Sequence, residues 1–236
     1  MPAPAWLDAD WPAPPGVRAL TSLRGGDGVS APPFDRLNFG LNCGDDPAAV
    51  RENRRRFREW LALPSEPVWL KQVHGTGVLR VGGPGREGLP EADAAVTSQA
   101  NTVLAILTAD CLPVVFAAID GSEIGVAHAG WRGLAAGVLE ATVAAMQTPP
   151  ARLRAWLGPA AGPEHYEIGA EVRDAFVGKD EGVATAFVPT RPGHWRVDLF
   201  ALALSHGLLL LMVLRLMGRD DLDTDPPRAE SQDDPA

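Results

Sequence analysis

The middle of the chain, from Val68 to His128, is a series of short apolar segments separated by Gly, Asp and Pro. Runs of this length and composition are typical of β-strands. Several are apolar along their whole length, which is the pattern of strands covered on both faces. The sequence therefore predicts a layered structure in which other elements cover both sides of a sheet. The segments are VWLKQV, VLRV, AAVT, TVLAIL, PVVFAAI and EIGVAH.

Helical patterns lie on either side of this region. Asp46 is a suitable N-cap, and Pro47 a suitable first residue, for a helix through AAVRENRRRFREWLAL. Two further helices are predicted at LAAGVLEATVAAM and GAEVRDAFV, with a strand between them at ARLRAWLG. The segment WRVDLFAL predicts a strand that leads into a helix. The first 45 residues are rich in Pro and Gly and predict short strands and turns.

Charge is unevenly distributed along the 236 residues. The formal net charge is −9, and the segment Arg219–Ala236 holds seven acidic residues against two arginines. Because no basic surface is indicated, we expect neither nucleic acid nor a membrane as a partner. The hydrophobic content of 46% fits an ordinary globular protein. We expect a catalytic domain over residues 1–204 and a partly disordered tail, first apolar and then acidic, over residues 205–236.

The cysteines and the apolar runs predict the compartment and the assembly. Only Cys43 and Cys111 are present, and the first residues do not resemble a signal peptide, which predicts a cytoplasmic protein with reduced thiols. The apolar run Leu208–Leu214 is too short for a membrane-spanning helix, which needs about 20 apolar residues. We expect this run to pack against the domain or against another chain, so a monomer or a small homo-oligomer is predicted.

Three potential metal ligands stand where a predicted strand meets a loop: His74, Cys111 and His128. Their separations of 37 and 17 residues differ from zinc-finger spacings, in which ligands come in close pairs. Three ligands from separate strand ends would leave a fourth position open, as in catalytic zinc sites. Spacing alone does not exclude a buried structural cysteine and hydrogen-bonded structural histidines. We give that structural interpretation to the remaining histidines, His165, His194 and His206.

Long motifs in the chain match a known family block by block. The central ones are LKQVHG, ADAAVTS, TADCLPVVF and AHAGWRGLAAGVLE. Others are SLRGGDGVSAPPFDRLNFG, GDDPAAVRENR, RAWLGPAAGPEHYEIGAEVRDAF and WRVDLFALA, so the match extends over residues 18–203. Together they resemble the YfiH/DUF152 family, which is described as multicopper polyphenol oxidase or laccase-domain proteins.

The resemblance implies a fold, a metal and an activity. The implied fold is α/β of the α+β type, a single-domain layered α-β-β-α sandwich with mixed sheets. The implied cofactor is one Zn²⁺ ion, with His74, Cys111 and His128 as both metal ligands and catalytic residues. Family members are similar in acting as purine nucleoside phosphorylases on adenosine, inosine, guanosine and methylthioadenosine, with some adenosine deamination. The implied partners are therefore a purine nucleoside and phosphate, and the family is also linked to editing of peptidoglycan precursors.

Five further residues are candidates for substrate or phosphate binding. Arg132 could bind phosphate through two parallel hydrogen bonds, and Arg54 is a second candidate for that contact. Either arginine could instead be a solvated surface residue. Gln72, Asn38 and Asp110 are candidates to contact the substrate or to orient a ligand, because a metal-bound histidine normally needs an acceptor for its other ring nitrogen.

Other functions are open for the same residues. Cu²⁺ at Cys111 would support a laccase-like polyphenol oxidase, although five histidines are too few for a complete multicopper site. Without a metal, Cys111 and a nearby histidine could form a cysteine hydrolase. The zinc-deaminase signature, H-x-E followed by P-C-x-x-C, does not occur in the sequence, so deamination would need a different arrangement. After Ala203 the sequence departs from the family pattern, which leaves an inactive binding protein as a further alternative.

Overall fold

Short strands and turns form the N-terminal part of the computed structural model, which describes residues 6–82 and 88–205. Strand β1 (Trp6–Asp8) pairs antiparallel with β2 (Leu20–Ser22). Helix α1 (Pro47–Trp60) follows, and the Asp46 carboxylate caps it by accepting a hydrogen bond from the Ala48 amide. The predicted cap and first residue of this helix are thereby confirmed.

A five-stranded mixed sheet forms the centre of the molecule. Its strands are β3 (Val78–Arg80), β4 (Ala94–Thr97), β5 (Leu112–Ala118), β6 (Ile124–Ala129) and β7 (Leu153–Leu157). Their order across the sheet is β3-β4-β6-β5-β7, with β3 and β4 parallel and all other neighbours antiparallel. Strands β4, β5 and β6 are buried along almost their whole length, as their continuous apolar sequences predict.

Two short helices cover one face of this sheet. They are α2 (Trp131–Ala136) and α3 (Val138–Ala145), which meet at Gly137. The prediction of one continuous helix over LAAGVLEATVAAM is wrong, because Gly137 has a φ of +95° and ends the first helix. Phe116 of the sheet, Leu134 of α2 and Leu139 of α3 belong to one buried apolar cluster.

A smaller antiparallel sheet and two more helices share this core. In chain order they are β8 (Glu167–Gly169), α4 (Ala170–Val177), β9 (Phe187–Pro189), β10 (His194–Val197) and α5 (Leu199–Ala203). Strand β10 lies between β8 and β9. The elements predicted at ARLRAWLG, GAEVRDAFV and WRVDLFAL are confirmed as β7, as α4, and as β10 followed by α5. The predicted mixed α/β fold with several sheets is confirmed.

Extended segments cover the opposite face of the central sheet. Leu70 forms a buried apolar cluster there with Val126 of β6, and Ile106 packs against this cluster. The prediction of strands at VWLKQV and TVLAIL is wrong, because in the described part of the chain these segments make only isolated parallel bridges, at Val68 and Lys71. Their apolar residues are explained by packing onto the sheet rather than by pairing within it.

Some predictions concern residues or properties beyond this description. The boundary between a domain at 1–204 and a tail at 205–236 stays a prediction, and His206 and Leu208–Leu214 lie outside the described residues. The cytoplasmic location and the monomeric or small oligomeric state also stay predictions. Among residues 6–82 and 88–205, no helix is both long and apolar enough to cross a membrane.

Candidate metal centre

One end of the central sheet brings together the side chains of His74, Cys111 and His128. His128 is the penultimate residue of β6, and Cys111 immediately precedes β5. Because Pro113 of β5 is paired with His128, these two candidate ligands come from adjacent strand ends. His74 comes from the loop before β3. The fold therefore gathers three residues that are far apart in the sequence.

The distances among these side chains suit a shared metal ion. Their potential ligand atoms all lie within 4.8 Å of one another, and Cys111 Sγ is 3.9 Å from His74 Nε2. The rings of His74 and His128 meet edge to face, with centroids 4.8 Å apart. Zinc bonds of about 2.0–2.3 Å in a tetrahedron place ligand atoms about 3.3–3.6 Å apart. A small contraction would close the three side chains around a metal ion.

Burial differs among the three side chains. His128 is 3% exposed, Cys111 is partly exposed and His74 is exposed. A metal ion at this position would therefore have protein on one side and solvent on the other. Two imidazoles and a thiolate are ligands that zinc and copper both accept. The residues fit a three-ligand metal centre with an open side.

Two glycines of the segment AHAGWRG allow this close approach. A Cβ atom at Gly130 would lie 2.8 Å from Cys111 Sγ and 2.9 Å from His74 Cδ2, which is closer than such atoms pack. A Cβ atom at Gly133 would lie 3.0 Å from the Gly75 carbonyl oxygen. A larger residue at Gly130 would therefore press on two of the three candidate ligands.

Asp93 is fully buried and contacts the elements that carry both histidines. Its Oδ1 is 2.9 Å from His128 Nδ1 and also accepts a hydrogen bond from the His74 amide at 2.9 Å. Its Oδ2 accepts hydrogen bonds from the Val73 and Gly75 amides at 3.1 and 2.7 Å. Asp93 was not among the site residues predicted from the sequence. The signal that could have found it is an acidic residue directly before β4, inside the motif ADAAVTS.

Burial disfavours the charged form of both the histidine and the cysteine, and it therefore shifts their pKa values in opposite directions. It lowers the pKa of His128, which the hydrogen bond to Asp93 opposes, so the imidazole is neutral at pH 7. Burial also raises the pKa of the Cys111 thiol, and the negative charges of Asp110 and Asp93 raise it further. A neutral thiol is a weak nucleophile. These pKa shifts therefore oppose the cysteine-hydrolase alternative.

Burial and hydrogen bonding have opposite effects on the pKa of Asp93, and the effect of the hydrogen bonds is the larger. Burial alone would raise the pKa of the Asp93 carboxyl. The hydrogen bonds from His128 and from the amides of Gly75, Val73 and His74 outweigh that effect and hold the pKa below its ordinary value. Asp93 is therefore a carboxylate at neutral pH.

Tyr166, which was not predicted as a site residue, interacts electrostatically with Cys111 and with two of the predicted substrate residues, Asp110 and Arg132. Tyr166 is partly buried. Burial raises its pKa, Cys111 and Asp110 raise it further, and Arg132 lowers it, so all three groups lie within electrostatic reach of the phenol. Arg132 is exposed, and its guanidinium carbon is 4.3 Å from the centroid of the Trp131 ring. The sequence feature that could have pointed to Tyr166 is that it is the single tyrosine of the chain.

Gln72 and Asn38, two other predicted substrate residues, have protein partners. The Gln72 amide group donates to the Leu107 carbonyl and accepts from the Leu107 amide, both at 2.7 Å. It thereby joins the two extended segments that cover the sheet. Asn38 donates a hydrogen bond of 2.9 Å to the Asp45 carboxylate. The hydrogen bonds of both side chains within the described residues hold the fold and do not involve the three candidate ligands.

Arg54, the second predicted phosphate partner, is half-buried on α1. Its guanidinium donates two hydrogen bonds to the Phe39 carbonyl, at 3.0 and 2.6 Å, and its Cζ is 3.7 Å from the centroid of the Trp69 ring. Burial lowers the pKa of Arg54 to about 10, although the charge of Glu66 opposes this change. These contacts explain Arg54 as a residue that packs α1 onto the neighbouring segments.

Comparison with proteins of known sequence identifies relatives. A family model described as multi-copper polyphenol oxidoreductase laccase matches residues 18–210. A purine nucleoside phosphorylase of Xylella fastidiosa (strain 9a5c) is 64% identical over 209 residues, which cover 85% of this chain and 80% of that protein. The purine nucleoside phosphorylase YfiH of Escherichia coli (strain K12) is 49% identical over 193 residues, which cover 82% of this chain and 78% of that protein.

Solved structures show the same fold. The crystal structure of Neisseria meningitidis protein NMB0706, from DUF152, matches with a TM-score of 0.80 at 39% identity and covers 92% of this chain and 91% of that one. YlmD from Geobacillus stearothermophilus matches with a TM-score of 0.78 at 32% identity and covers 90% of this chain and 83% of that one. Sequence and structure thus agree with the resemblance to YfiH/DUF152 proteins, and the chain belongs to the multi-copper polyphenol oxidoreductase laccase family.

Proposed function

We propose that the protein is a zinc-dependent purine nucleoside phosphorylase. The observation that carries this proposal is the meeting of His74, Cys111 and His128 in a chain that is 64% identical to a protein of that name. The proposed substrates are phosphate and adenosine, inosine, guanosine or methylthioadenosine. The three residues would hold the Zn²⁺ ion, which when bound supplies Lewis-acid stabilisation of negative charge on oxygen.

Phosphorolysis sets clear demands on the remaining residues. A phosphate oxygen forms a bond to ribose C1′, and the bond from C1′ to the purine nitrogen breaks. The bonding electrons leave with the purine, which takes up a proton, and ribose 1-phosphate remains. The site therefore needs a partner for the phosphate anion and hydrogen-bonding groups for the nucleoside.

Three residues meet these demands in the proposal: Arg132, Tyr166 and Asp110. Arg132 is the proposed phosphate partner, because its planar guanidinium matches two phosphate oxygens at once. Tyr166 and Asp110, which act on each other electrostatically, are the proposed hydrogen-bonding partners of the nucleoside. The phenol hydroxyl is a donor and an acceptor, whereas the carboxylate is an acceptor that suits a ribose hydroxyl.

The family description favours a second candidate function, the oxidation of polyphenols at copper. A multicopper oxidase binds a blue copper through two histidines and a cysteine, and needs further imidazoles for its other coppers. In the described residues, His74, Cys111 and His128 are the one group of three or more His, Cys, Asp or Glu side chains at metal-binding distances. This supports a single metal ion and therefore favours the phosphorylase.

The test measures free purine base released from adenosine and inosine by the zinc-loaded protein, with and without phosphate. The wild type is compared with Cys111→Ala and with the control Cys43→Ser, since Cys43 is an exposed free thiol that does not belong to the candidate centre. We expect phosphate-dependent release from the wild type and the control, and none from Cys111→Ala.

Each other outcome favours a named alternative. Purine release that needs no phosphate would indicate a nucleoside hydrolase, and ammonia released from adenosine would indicate a deaminase. Phenol oxidation that appears only after copper loading would favour the laccase-like activity. A folded, zinc-containing protein with none of these activities would favour an inactive binding protein.

A further inference from the structure

We propose that Asp93 is the positioning residue of the centre, and that its one carboxylate fixes both histidines at once; this inference rests on the metal centre of the proposed function. Four N–H donors converge on the two carboxylate oxygens, at distances between 2.7 and 3.1 Å. One donor is the His128 imidazole, and the others are the amides of Val73, His74 and Gly75. Asp93 is fully buried, so water does not compete for these contacts.

The contact with His128 selects the tautomer of that ring. Asp93 Oδ1 already accepts a hydrogen bond from the His74 amide, and Oδ2 accepts hydrogen bonds from the Val73 and Gly75 amides, so both oxygens act as acceptors. The hydrogen in the 2.9 Å contact must therefore be on His128 Nδ1. The neutral ring then has its lone pair on Nε2, which is the nitrogen left for a metal ion.

The contacts with the loop hold the backbone of His74. His74 has a φ of +60°, in the left-handed region that residues other than glycine rarely adopt. Three consecutive amides, from Val73 to Gly75, donate to the same carboxylate, and this arrangement fixes the loop in that conformation. Oδ1 serves both histidines, through the His74 amide and through His128 Nδ1. A change at Asp93 would therefore move both histidines together.

The variant Asp93→Asn tests this inference in the full chain. An amide keeps the shape of the carboxylate, but it has one acceptor oxygen and adds two N–H donors, so it cannot accept all four hydrogen bonds. Zinc affinity is measured by competition with a chromophoric chelator, and the absorption spectrum of the Co²⁺-loaded protein reports the ligand geometry. We expect zinc binding to weaken about 10- to 100-fold, together with a changed cobalt spectrum.

Glu123 provides a matched control. Glu123 lies directly before the first residue of β6 and is 3% exposed. Its carboxylate accepts hydrogen bonds from the Gln147 and Thr148 amides and from the Arg80 side chain. The variant Glu123→Gln should therefore lose stability while its zinc affinity and cobalt spectrum stay those of the wild type. Wild-type zinc affinity in Asp93→Asn would overturn the inference, and so would an equal loss of affinity in Glu123→Gln.

A measurement on the wild-type protein covers the case in which Asp93→Asn does not fold. Nitrogen-15 NMR of the metal-free, histidine-labelled full chain distinguishes the two ring tautomers. We expect the Nδ1–H form for His128, and the Nε2–H form would overturn the inference. None of these measurements uses a nucleoside. A wild-type protein that binds zinc but releases no purine base would therefore contradict the proposed function and leave the role of Asp93 standing.

Discussion

Strand β6 begins beside one buried carboxylate and ends beside another. Glu123 precedes its first residue, and Asp93 contacts His128 near its last. Both carboxylates accept hydrogen bonds from backbone amides of a segment that is distant in the sequence. Glu123 accepts them from residues 147 and 148, and Asp93 accepts them from residues 73 to 75. The two carboxylates differ in their side-chain partner. Arg80 is 2.9 Å from the Glu123 carboxylate, and His128 is 2.9 Å from the Asp93 carboxylate.

This difference shows how one arrangement gives two kinds of site. A guanidinium offers only donors, so the Glu123–Arg80 pair satisfies the carboxylate and presents no acceptor for a ligand. A neutral imidazole donates from one nitrogen and keeps a lone pair on the other. At the Asp93 end this second nitrogen belongs to a residue that meets Cys111 and His74. The Glu123 end is therefore expected to affect stability alone, and the Asp93 end to affect metal binding.

Removing the imidazole from the Asp93 end is expected to have the largest effect. His128→Ala deletes a candidate metal ligand and leaves the Asp93 carboxylate without its side-chain partner. Because a bound metal ion contributes several kcal/mol of transition-state stabilisation, phosphate-dependent purine release should fall about 1,000-fold. Initial rates with inosine measure this change. His194→Ala, in β10, should keep the wild-type rate, and a His128→Ala variant that did the same would contradict a role for the metal.

Neutralising the Glu123 carboxylate, at the beginning of β6, should lower the stability of the fold and leave metal binding unchanged. Glu123→Gln replaces a carboxylate that is 3% exposed and paired with Arg80, whose side chain is 36% exposed. The free energy of unfolding should fall by about 2–3 kcal/mol at pH 7, less than for a fully buried pair because Arg80 is partly solvated. Urea unfolding measures the loss. Unchanged urea stability would show that the Glu123 contacts are not needed to hold this end together.

The same variant makes a prediction about pH. Burial alone would raise the pKa of Glu123, but hydrogen bonds from Gln147, Thr148 and Arg80 outweigh burial and hold the pKa below its ordinary value of 4.5. The carboxylate therefore stabilises the folded state above the unfolded pKa, and this stabilisation is lost as the pH falls through the lower folded pKa. The difference in urea midpoint between wild type and Glu123→Gln should be full at pH 7 and smaller at about pH 3.5. An equal difference at both pH values would contradict this assignment.

The close packing at the Asp93 end of β6 allows a finer perturbation. Gly130→Ala would press a methyl group on Cys111 and His74 without removing either. Zinc affinity, measured by chelator competition, should fall about tenfold, because the ligands can no longer reach their contracted positions. Gly162→Ala is the control, since a Cβ atom there meets nothing within 4 Å and its φ of −73° suits alanine. Equal zinc affinity in all three proteins would mean that the ligands move freely past Gly130.

The sequence predicted the parts of the fold that depend on interactions between residues close together in the chain. The Asp46 cap lies next to the helix it starts, and the continuous apolar residues of β5 and β6 mark strands buried on both faces. Apolar residues alone misled at VWLKQV and TVLAIL, because packing onto a sheet gives the same pattern as pairing within one. There the Gln72 side chain supplies hydrogen bonds to Leu107 that a strand ladder would otherwise supply.

The candidate site was less predictable because its contacts are long-range. The partners of Asp93 lie 18–20 and 35 residues away, and no local pattern marks them. The meeting of His74, Cys111 and His128 did not follow from their spacing and was implied only by the family resemblance. Arg54 was a candidate for phosphate binding, and Gln72 and Asn38 were candidates to contact the substrate or to orient a ligand. A polar residue has the same sequence signature whether it contacts a ligand or another part of the protein. The structure gives each of them protein partners.

The smallest expected effect separates the two arginines proposed for phosphate. Arg132→Lys keeps the positive charge that acts on Tyr166 but loses the planar pair of donors, so the KM for phosphate should rise about threefold to tenfold with little change in kcat. Arg54→Lys should leave that KM unchanged and lower stability, because the guanidinium of Arg54 is engaged by Phe39 and Trp69. Phosphate dependence of purine release, measured at saturating inosine, decides between them. If the KM for phosphate rose only in Arg54→Lys, the phosphate would be assigned to Arg54 on α1 and not to Arg132 on α2. The contacts of Arg54 with Phe39 and Trp69 would then position its guanidinium for phosphate binding.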